Sequence, residues 1–476
     1  MKEKRNFAGE SRTAAGASGN AEEGCCSQQE RERDVGNGRR WIEVGAICLG
    51  ILAVLAAPEA RAAAGDELTL AGAWELARQH RPLEAIGEAA VSRETGYVRQ
   101  SGMRPNPSFS FQTENWRFSG RRDFSPSTDV DWFAYWTLPW EWGAKRRARL
   151  AVAEERRRRA EVEKEAALWR LRLDVKRAFG ELVAAHQERD AVRLQRDLQE
   201  QRRDFFAKRL AAGDVGELDL LQAELEWRRW QVEFEQAEER VAAAWSRLAR
   251  VLGVEDLASR YTTVEDPNWI AVREGGAGEE ELIREAWARR GELRLLEVAL
   301  AEQEAQAELE AARRRPDWDI VLGYKRTEGY DTLLAGITIP VPWFDRNEGN
   351  VAAAGAELER LRLSLQDTRS DVAGSVRQAF LALRRAYLWW RRLEEEILPR
   401  AEESRRIVEE AYSEGGVDFL RLLDAERTAA EIQVETARAR AAAAQAWIDL
   451  EEAVGGEGFA VGARFLKPAP GEEREQ

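Results

Sequence analysis

Val130-Asp131-Trp132-Phe133-Ala134-Tyr135-Trp136-Thr137-Leu138, residues 130–138, is the stretch on which the reading of the fold turns. In an extended chain successive side chains point to opposite faces, so Val130, Trp132, Ala134, Trp136 and Leu138 share one face. Pro139, which has no backbone N–H for a ladder, ends the segment. Two later segments alternate in the same way: Trp318, Ile320, Leu322 and Tyr324, then Leu333, Ala335, Ile337 and Ile339. A fourth, from Ser108 to Phe118, alternates less cleanly. Strands of ~10 residues with one apolar face are the pattern of a membrane barrel. Trp116, Trp132, Trp136, Trp140 and Trp142 fall within 27 residues, and Trp318 and Trp343 flank the second pair of strands. Aromatic residues of this kind concentrate at membrane interfaces. Four strands leave two open edges, which lipid does not tolerate. Copies of the same chain must therefore complete the barrel, and cyclic symmetry with three chains supplies twelve strands.

Outward from the strands the pattern is helical. Val351, Ala354, Leu358, Leu361, Leu365, Thr368, Val372, Ser375, Ala379, Leu383 and Ala386 follow three- and four-residue steps, a coiled-coil-like seam. The stretch from Ala144 to Ala212 is equally rich in Arg and Glu and contains no proline. At 1.5 Å per residue it predicts a helix roughly 100 Å long, which suits a tube or rod rather than a globular core.

The chain carries this unit twice. Gly213, Val215, Leu221, Ala223-Glu224, Trp245 and Gly253 recur 202 positions later as Gly415, Val417, Leu423, Ala425-Glu426, Trp447 and Gly455. Pro139 and Phe179 recur 201 positions on as Pro340 and Phe380, and Arg104-Pro105 recurs 211 on as Arg315-Pro316. So long a period marks a duplicated domain rather than a solenoid array. The expected division is a leader and signal peptide at 1–62, a first repeat at 63–253, a connector or equatorial segment at 254–278, a second repeat at 279–456 and a polar tail at 457–476. The fold class is mainly α with a small membrane-barrel contribution, each repeat giving long coiled-coil helices and two β-strands.

The leader reads as an export signal. Residues 44–57 are an uncharged apolar run preceded by Arg39-Arg40 and followed by Ala60-Arg61-Ala62, a small-x-small cleavage pattern. The run is short of the ~20 residues of a membrane span.

Composition excludes several functions. The 476 residues carry a net charge of −14, which argues against nucleic acid as a partner. The three cysteines are Cys25, Cys26 and Cys48, and the histidines are His80 and His186 alone. A His/Cys zinc site, a Cys nucleophile or a disulfide framework cannot be built in the rest of the chain. Both histidines read as solvated helix-face residues, not as members of a triad. No catalytic, cofactor-binding or metal site is expected.

Together the signal, the duplicated helix–hairpin–helix unit and the paired strands resemble the TolC-type outer-membrane efflux channels over roughly residues 66–456. The resemblance is closest to the CzcC-type branch, the outer-membrane components of heavy-metal resistance pumps. It is carried by Leu68-Thr69-Leu70 with Ala73, Ala77 and Pro82-Leu83, although Arg81 stands where Asn is common. Leu138-Pro139-Trp140-Glu141-Trp142-Gly143-Ala144-Lys145-Arg146 carries it too. The most specific match is Ile339-Pro340-Val341-Pro342-Trp343-Phe344-Asp345-Arg346-Asn347, a strand-exit motif. Asp345 with Glu348 three residues later also fits a helix-capping pattern, which makes Asp345-Arg346-Asn347 a structural junction rather than a metal site. The resemblance implies a homotrimer whose barrel continues into a periplasmic helical tunnel, working with a periplasmic adaptor, an inner-membrane RND-type pump and outer-membrane lipid.

Function then concentrates at two glycine breaks, Ala211-Ala212-Gly213-Asp214-Val215-Gly216 and Ser413-Glu414-Gly415-Gly416-Val417. As local structure each is an αα-hairpin with a left-handed cap. By resemblance they form the periplasmic tip, with Val215, Leu218, Val417 and Phe419 as adaptor contacts beside Gly213, Gly216, Gly415 and Gly416. Some members of the family it resembles carry acidic lumen residues six and nine positions past the tip glycine. Here those positions hold Asp219, Gln222, Arg421 and Asp424, and Arg421 is a departure that either forms a salt bridge across the constriction or weakens cation selectivity. A carboxylate ring at a narrowing attracts cations. The leading expectation is a passive export duct for heavy-metal cations. The alternatives are drug efflux or type I protein secretion by the same fold, and a periplasmic coiled-coil structural protein, which predicts no strands.

Overall fold

The computed structural model describes residues 66–117, 123–274 and 276–466; the leader and signal-peptide reading lies outside them. The chain opens with β1 (Asp66–Leu68), α1 (Leu70–His80) and α2 (Leu83–Ser101), then β2 (Ser108–Glu114), the short α3 (Pro126–Asp129) and β3 (Asp131–Trp140). The long α4 (Lys145–Ala212) and α5 (Glu217–Leu252) complete the first repeat. After β4 (Tyr261–Val264) and β5 (Val272–Arg273), the second repeat follows in the same order. It comprises α6 (Glu279–Arg289), α7 (Gly291–Arg313), β6 (Trp318–Thr327), β7 (Tyr330–Thr338) and α8 (Glu348–Arg392), a π turn, α9 (Leu398–Ser413) and α10 (Phe419–Val454). The chain closes with β8 (Val461–Gly462) and a 3₁₀ turn (Ala463–Leu466). No described helix is long and apolar enough to cross a membrane.

The four alternating segments form one antiparallel sheet in the order β2-β3-β6-β7, so β2 and β7 are its edges. Register puts Phe109 opposite Trp136, Trp136 opposite Leu322 and Leu322 opposite Ala335. One row along, Phe111, Ala134, Tyr324 and Leu333 align. This face is apolar and exposed, with Leu333 at 91%. The other carries Ser108, Ser110, Gln112, Thr137, Lys325 and Thr332 among Phe133, Tyr135 and Val321. An apolar outer face and a more polar inner one are what a barrel wall in lipid requires.

α4 runs unbroken for 68 residues, and it packs on both α5 and α10. The second rod differs from its twin. Pro399 lacks the N–H that would continue the ladder, and the chain makes a π turn at Leu393–Ile397 just before it. The predicted seam also drifts: Ala354, Leu361, Val372 and Leu383 are buried, but Ser375 is exposed and Val376 is buried in its place. A straight helix of 3.6 residues per turn moves off a seven-residue repeat by about 20° per heptad.

Each repeat has its own core beside the connector. In the first, Phe179, Leu182, Leu248 and Leu252 are packed with Ala73 and Ala77 of α1. In the second, Val376, Phe380, Leu450 and Val454 are packed with Leu282 and Leu293. Arg81 explains itself here. Its guanidinium donates to the carbonyls of Val251 (3.0 Å) and Arg250 (2.5 Å), closing the C-terminal end of α5. Arg290 does the same for α10 through Glu452 O (2.5 Å).

The connector carries two short parallel pairings, β4 with β1 and β5 with β8. Two local expectations are corrected. The segment expected as a polar tail from 457 is packed as far as 466, with Phe459, Val461 and Leu466 buried against the second core; apolar residues inside a polar composition decide its fate. Asp345 does not cap α8 through Glu348. Its carboxylate accepts the N–H of Asn347 (2.8 Å), which sits in the left-handed region at φ 57° and immediately precedes the helix.

Candidate functional site at the helical turns

Both helix-to-helix turns are built by glycine at positive φ. Gly213 lies at φ 82° and Gly415 at φ 77°, with nothing within 4 Å of where a Cβ would stand, so backbone conformation and not space demands glycine there. The N–H groups of Gly213 and Asp214 return to Leu210 O and Arg209 O, and those of Gly415 and Gly416 to Tyr412 O and Ala411 O. These bonds satisfy the last carbonyls of α4 and α9. The following helices start differently. Gly216 precedes α5, and its N–H donates to the Asp219 carboxylate (3.0 Å). Asp418 precedes α10 and accepts the Arg421 N–H (3.1 Å).

Four helices are joined just behind the turns by an aromatic plug. Phe206 of α4 and Phe419 of α10 lie with ring centroids 4.3 Å apart, and Ala223 and Leu422 fill the space beside them. Val215, Leu220, Val408 and Tyr412 pack around this cluster. Phe419, expected as an adaptor contact, is instead an internal residue of this cluster, only 8% exposed. Val215 and Val417 are half-buried, while Leu218 is 65% exposed.

One turn further in, the helices enclose polar side chains. Arg202 forms an ion pair with the buried carboxylate of Glu426, and Gln195 Nε2 donates to Gln433 Oε1 (2.6 Å). Burial pushes the Arg202 guanidinium down to about 10, with Glu409 opposing and Arg405 reinforcing the shift. A cavity of about 160 Å³ lies among these groups. The arrangement fixes α4 against α10 by charge and shape, with no group placed for bond-making chemistry.

The lumen candidates lie on two different helices. Asp219 and Gln222 are half-buried on α5, and Arg421 and Asp424 are exposed on α10. Asp219 is committed in part to the helix start. Arg421 has no ion-pair partner within its own protomer among the described residues. Of the strand-exit motif, Pro340, Pro342 and Phe344 are exposed, Phe344 at 99%. Asn347 Nδ2 donates to Glu310 O (2.9 Å) and Glu310 Oε2 (2.8 Å), fastening the start of α8 to α7. Arg346 takes no part in that junction.

Sequence reasoning missed an exposed leucine stripe. Leu218, Leu221 and Leu225 stand at i, i+3 and i+7 on α5, each at least half exposed; the spacing was there to be read. His80 is exposed as expected, but His186 is half-buried against Trp245, ring centroids 6.0 Å apart, and burial lowers its pKa. Among the described residues no group of His, Cys, Asp and Glu can hold a metal ion.

A duplicated unit of paired long rods beneath a two-edged sheet is distinctive, and the outer membrane efflux protein family profile matches it twice, at residues 73–254 and 282–456. The chain belongs to the outer membrane efflux protein family. It is 26% identical over 371 residues to the cobalt-zinc-cadmium resistance protein CzcC of Cupriavidus metallidurans, covering 77% of this chain and 85% of that one. The structure of CusC superposes with a TM-score of 0.63 at 16% identity, over 83% of this chain and 94% of that one. VceC of Vibrio cholerae gives 0.63 at 18%, over 81% and 96%. Both share the fold. This efflux protein is thus a channel subunit of the outer membrane with a periplasmic tunnel, a duct and not an enzyme. Outer membrane efflux proteins function as trimers with periplasmic adaptor and inner-membrane pump partners.

Proposed function

We propose that this efflux protein is the outer-membrane duct of a pump that exports heavy-metal cations. The observation that carries the reading is the similarity to a cobalt-zinc-cadmium resistance protein along most of both chains. In this reading three copies close the barrel in outer-membrane lipid and continue as a helical tunnel. A periplasmic adaptor docks on the tip formed by Gly213, Val215, Gly216, Leu218, Gly415, Gly416 and Val417. An inner-membrane RND-type pump drives transport. The duct itself needs no high-affinity metal site, because passage requires weak, reversible binding. Asp219 and Asp424 supply negative charge near the narrowing, and Arg421 tempers it.

The test is growth of a deletion strain on gradients of cobalt, zinc, cadmium, nickel and copper, beside hydrophobic drugs and dyes. Metal sensitivity, reversed by the intact gene, is the expected result. Drug sensitivity with normal metal tolerance would keep the channel and overturn the cargo.

A further inference from the structure

The two repeats make one contact inside the chain whose twin is missing. Where the first repeat leaves the sheet, Trp142 stacks on Trp318, ring centroids 5.0 Å apart and planes within 4°. The Trp142 N–H donates to Asp317 Oδ1 (3.0 Å), and Lys145 pairs with the same carboxylate (2.8 Å). Gly143 lies tight against the Arg315 side chain, 2.6 Å from where a Cβ would stand. So the exit of β3 is seated on Arg315-Pro316-Asp317-Trp318, the entry to β6.

The duplication carries each half of this contact to a place where it has no partner. Trp142 stands three residues past Pro139, and Trp343 stands three past Pro340. Arg315-Pro316-Asp317-Trp318 corresponds to Arg104-Pro105-Asn106-Pro107 at the entry to β2. In the single chain Trp343 is 75% exposed, Phe344 99% and Val341 74%. Residues 104–107 are exposed as well, beside a cavity of about 370 Å³ lined by Pro105, Pro107, Leu138, Pro139 and Trp140. The exit follows edge strand β7 and the entry precedes edge strand β2, at opposite edges of one sheet. Antiparallel pairing of β7 with the β2 of another copy brings the end of one beside the start of the other.

We infer that Trp343 and Phe344 of one protomer seat on Arg104–Pro107 of the next, as Trp142 seats on Trp318 within the chain. The occupant is a second copy of this chain, and the inference rests on the trimeric reading. The Trp343 ring lies over Pro107, and the contact repeats around the ring because each copy offers both halves. Large exposed aromatics beside an open edge are thereby removed from water on assembly.

The only cysteines are Cys25, Cys26 and Cys48, and with these three changed to serine the engineered pairs report alone. The test is the full-length protein purified in detergent, its mass measured by light scattering, carrying Asn106→Cys with Trp343→Cys and treated with a short bis-maleimide. Covalent dimers and trimers on a denaturing gel are the expected result. Arg104→Cys with Phe344→Cys provides a second pair if the first fails to assemble. Trimeric mass with neither pair linking between chains overturns the seat and leaves the trimer standing. Monomeric mass overturns the trimer and the seat together.

Discussion

Phe206→Ala isolates what holds the tip together. Phe206 is 2% exposed and touches Phe419 and Phe205. Its truncation removes a buried aromatic ring and leaves a cavity, a change worth about 3–5 kcal/mol. The cluster holds only Phe206, Ala223, Phe419 and Leu422 as buried apolar residues. The next cluster along α4, at Val192, is about 21 Å away at 1.5 Å per residue. The loss therefore falls on a small unit with little else to hold it. Hydrogen exchange read by mass spectrometry, on the protein in detergent, should show amides near 206–222 and 408–422 exchanging roughly two to four orders of magnitude faster. The strands and the two cores beside the connector should not change. Unchanged tip exchange, or a uniform acceleration along every helix, would refute the idea of a separately stabilised tip.

Further outcomes follow from neighbouring groups. Arg202→Met strands Glu426 as a buried unpaired carboxylate and should destabilise the tip by about 3–5 kcal/mol, whereas Arg202→Met with Glu426→Leu should recover most of it; tip exchange in both variants decides. Asp219→Asn with Asp424→Asn should lower cation conductance in planar bilayers, most at low salt, because the screening length falls from ~10 Å at 0.1 M to ~3 Å at 1 M. An effect independent of salt would contradict an electrostatic role. Burial raises the pKa of Glu451, against the opposing hydrogen bond from Lys176. A carboxyl raised in the folded state stabilises it fully below the ordinary 4.5 and loses that contribution as pH rises through the folded value. Glu451→Gln should flatten the thermal stability profile above 4.5, and an unchanged profile would refute the linkage.

Much of this molecule is legible because its elements are long and repetitive. The alternation of Trp132, Ala134, Trp136 and Leu138 defines a strand face, and the absence of proline from 144 to 212 permits the unbroken α4. Glycine at 213 and 415 marks both turns, since only a left-handed residue closes those helices economically. What escaped reading depends on distant partners. Phe419 looks like any apolar residue beside a turn until Phe206, more than two hundred residues earlier, packs against it. Two-residue strands such as β5 and β8 carry no periodicity to detect. Nothing in the sequence sets Arg202 and Glu426 apart from the many other helix charges, because burial is a property of how α4 meets α10. Of the lumen candidates, position past a glycine was readable, but the hydrogen bond that ties Asp219 to Gly216 was not.

The central claim is that this channel carries heavy-metal cations out of the cell. The most direct measurement is cell-associated cobalt, zinc and cadmium, by elemental mass spectrometry, in cells with and without the gene while the pump and adaptor are present. The account predicts metal accumulation in the deletion cells and its reversal by the intact gene. Equal metal content in the two, with retention of hydrophobic dyes in the deletion cells alone, would contradict it.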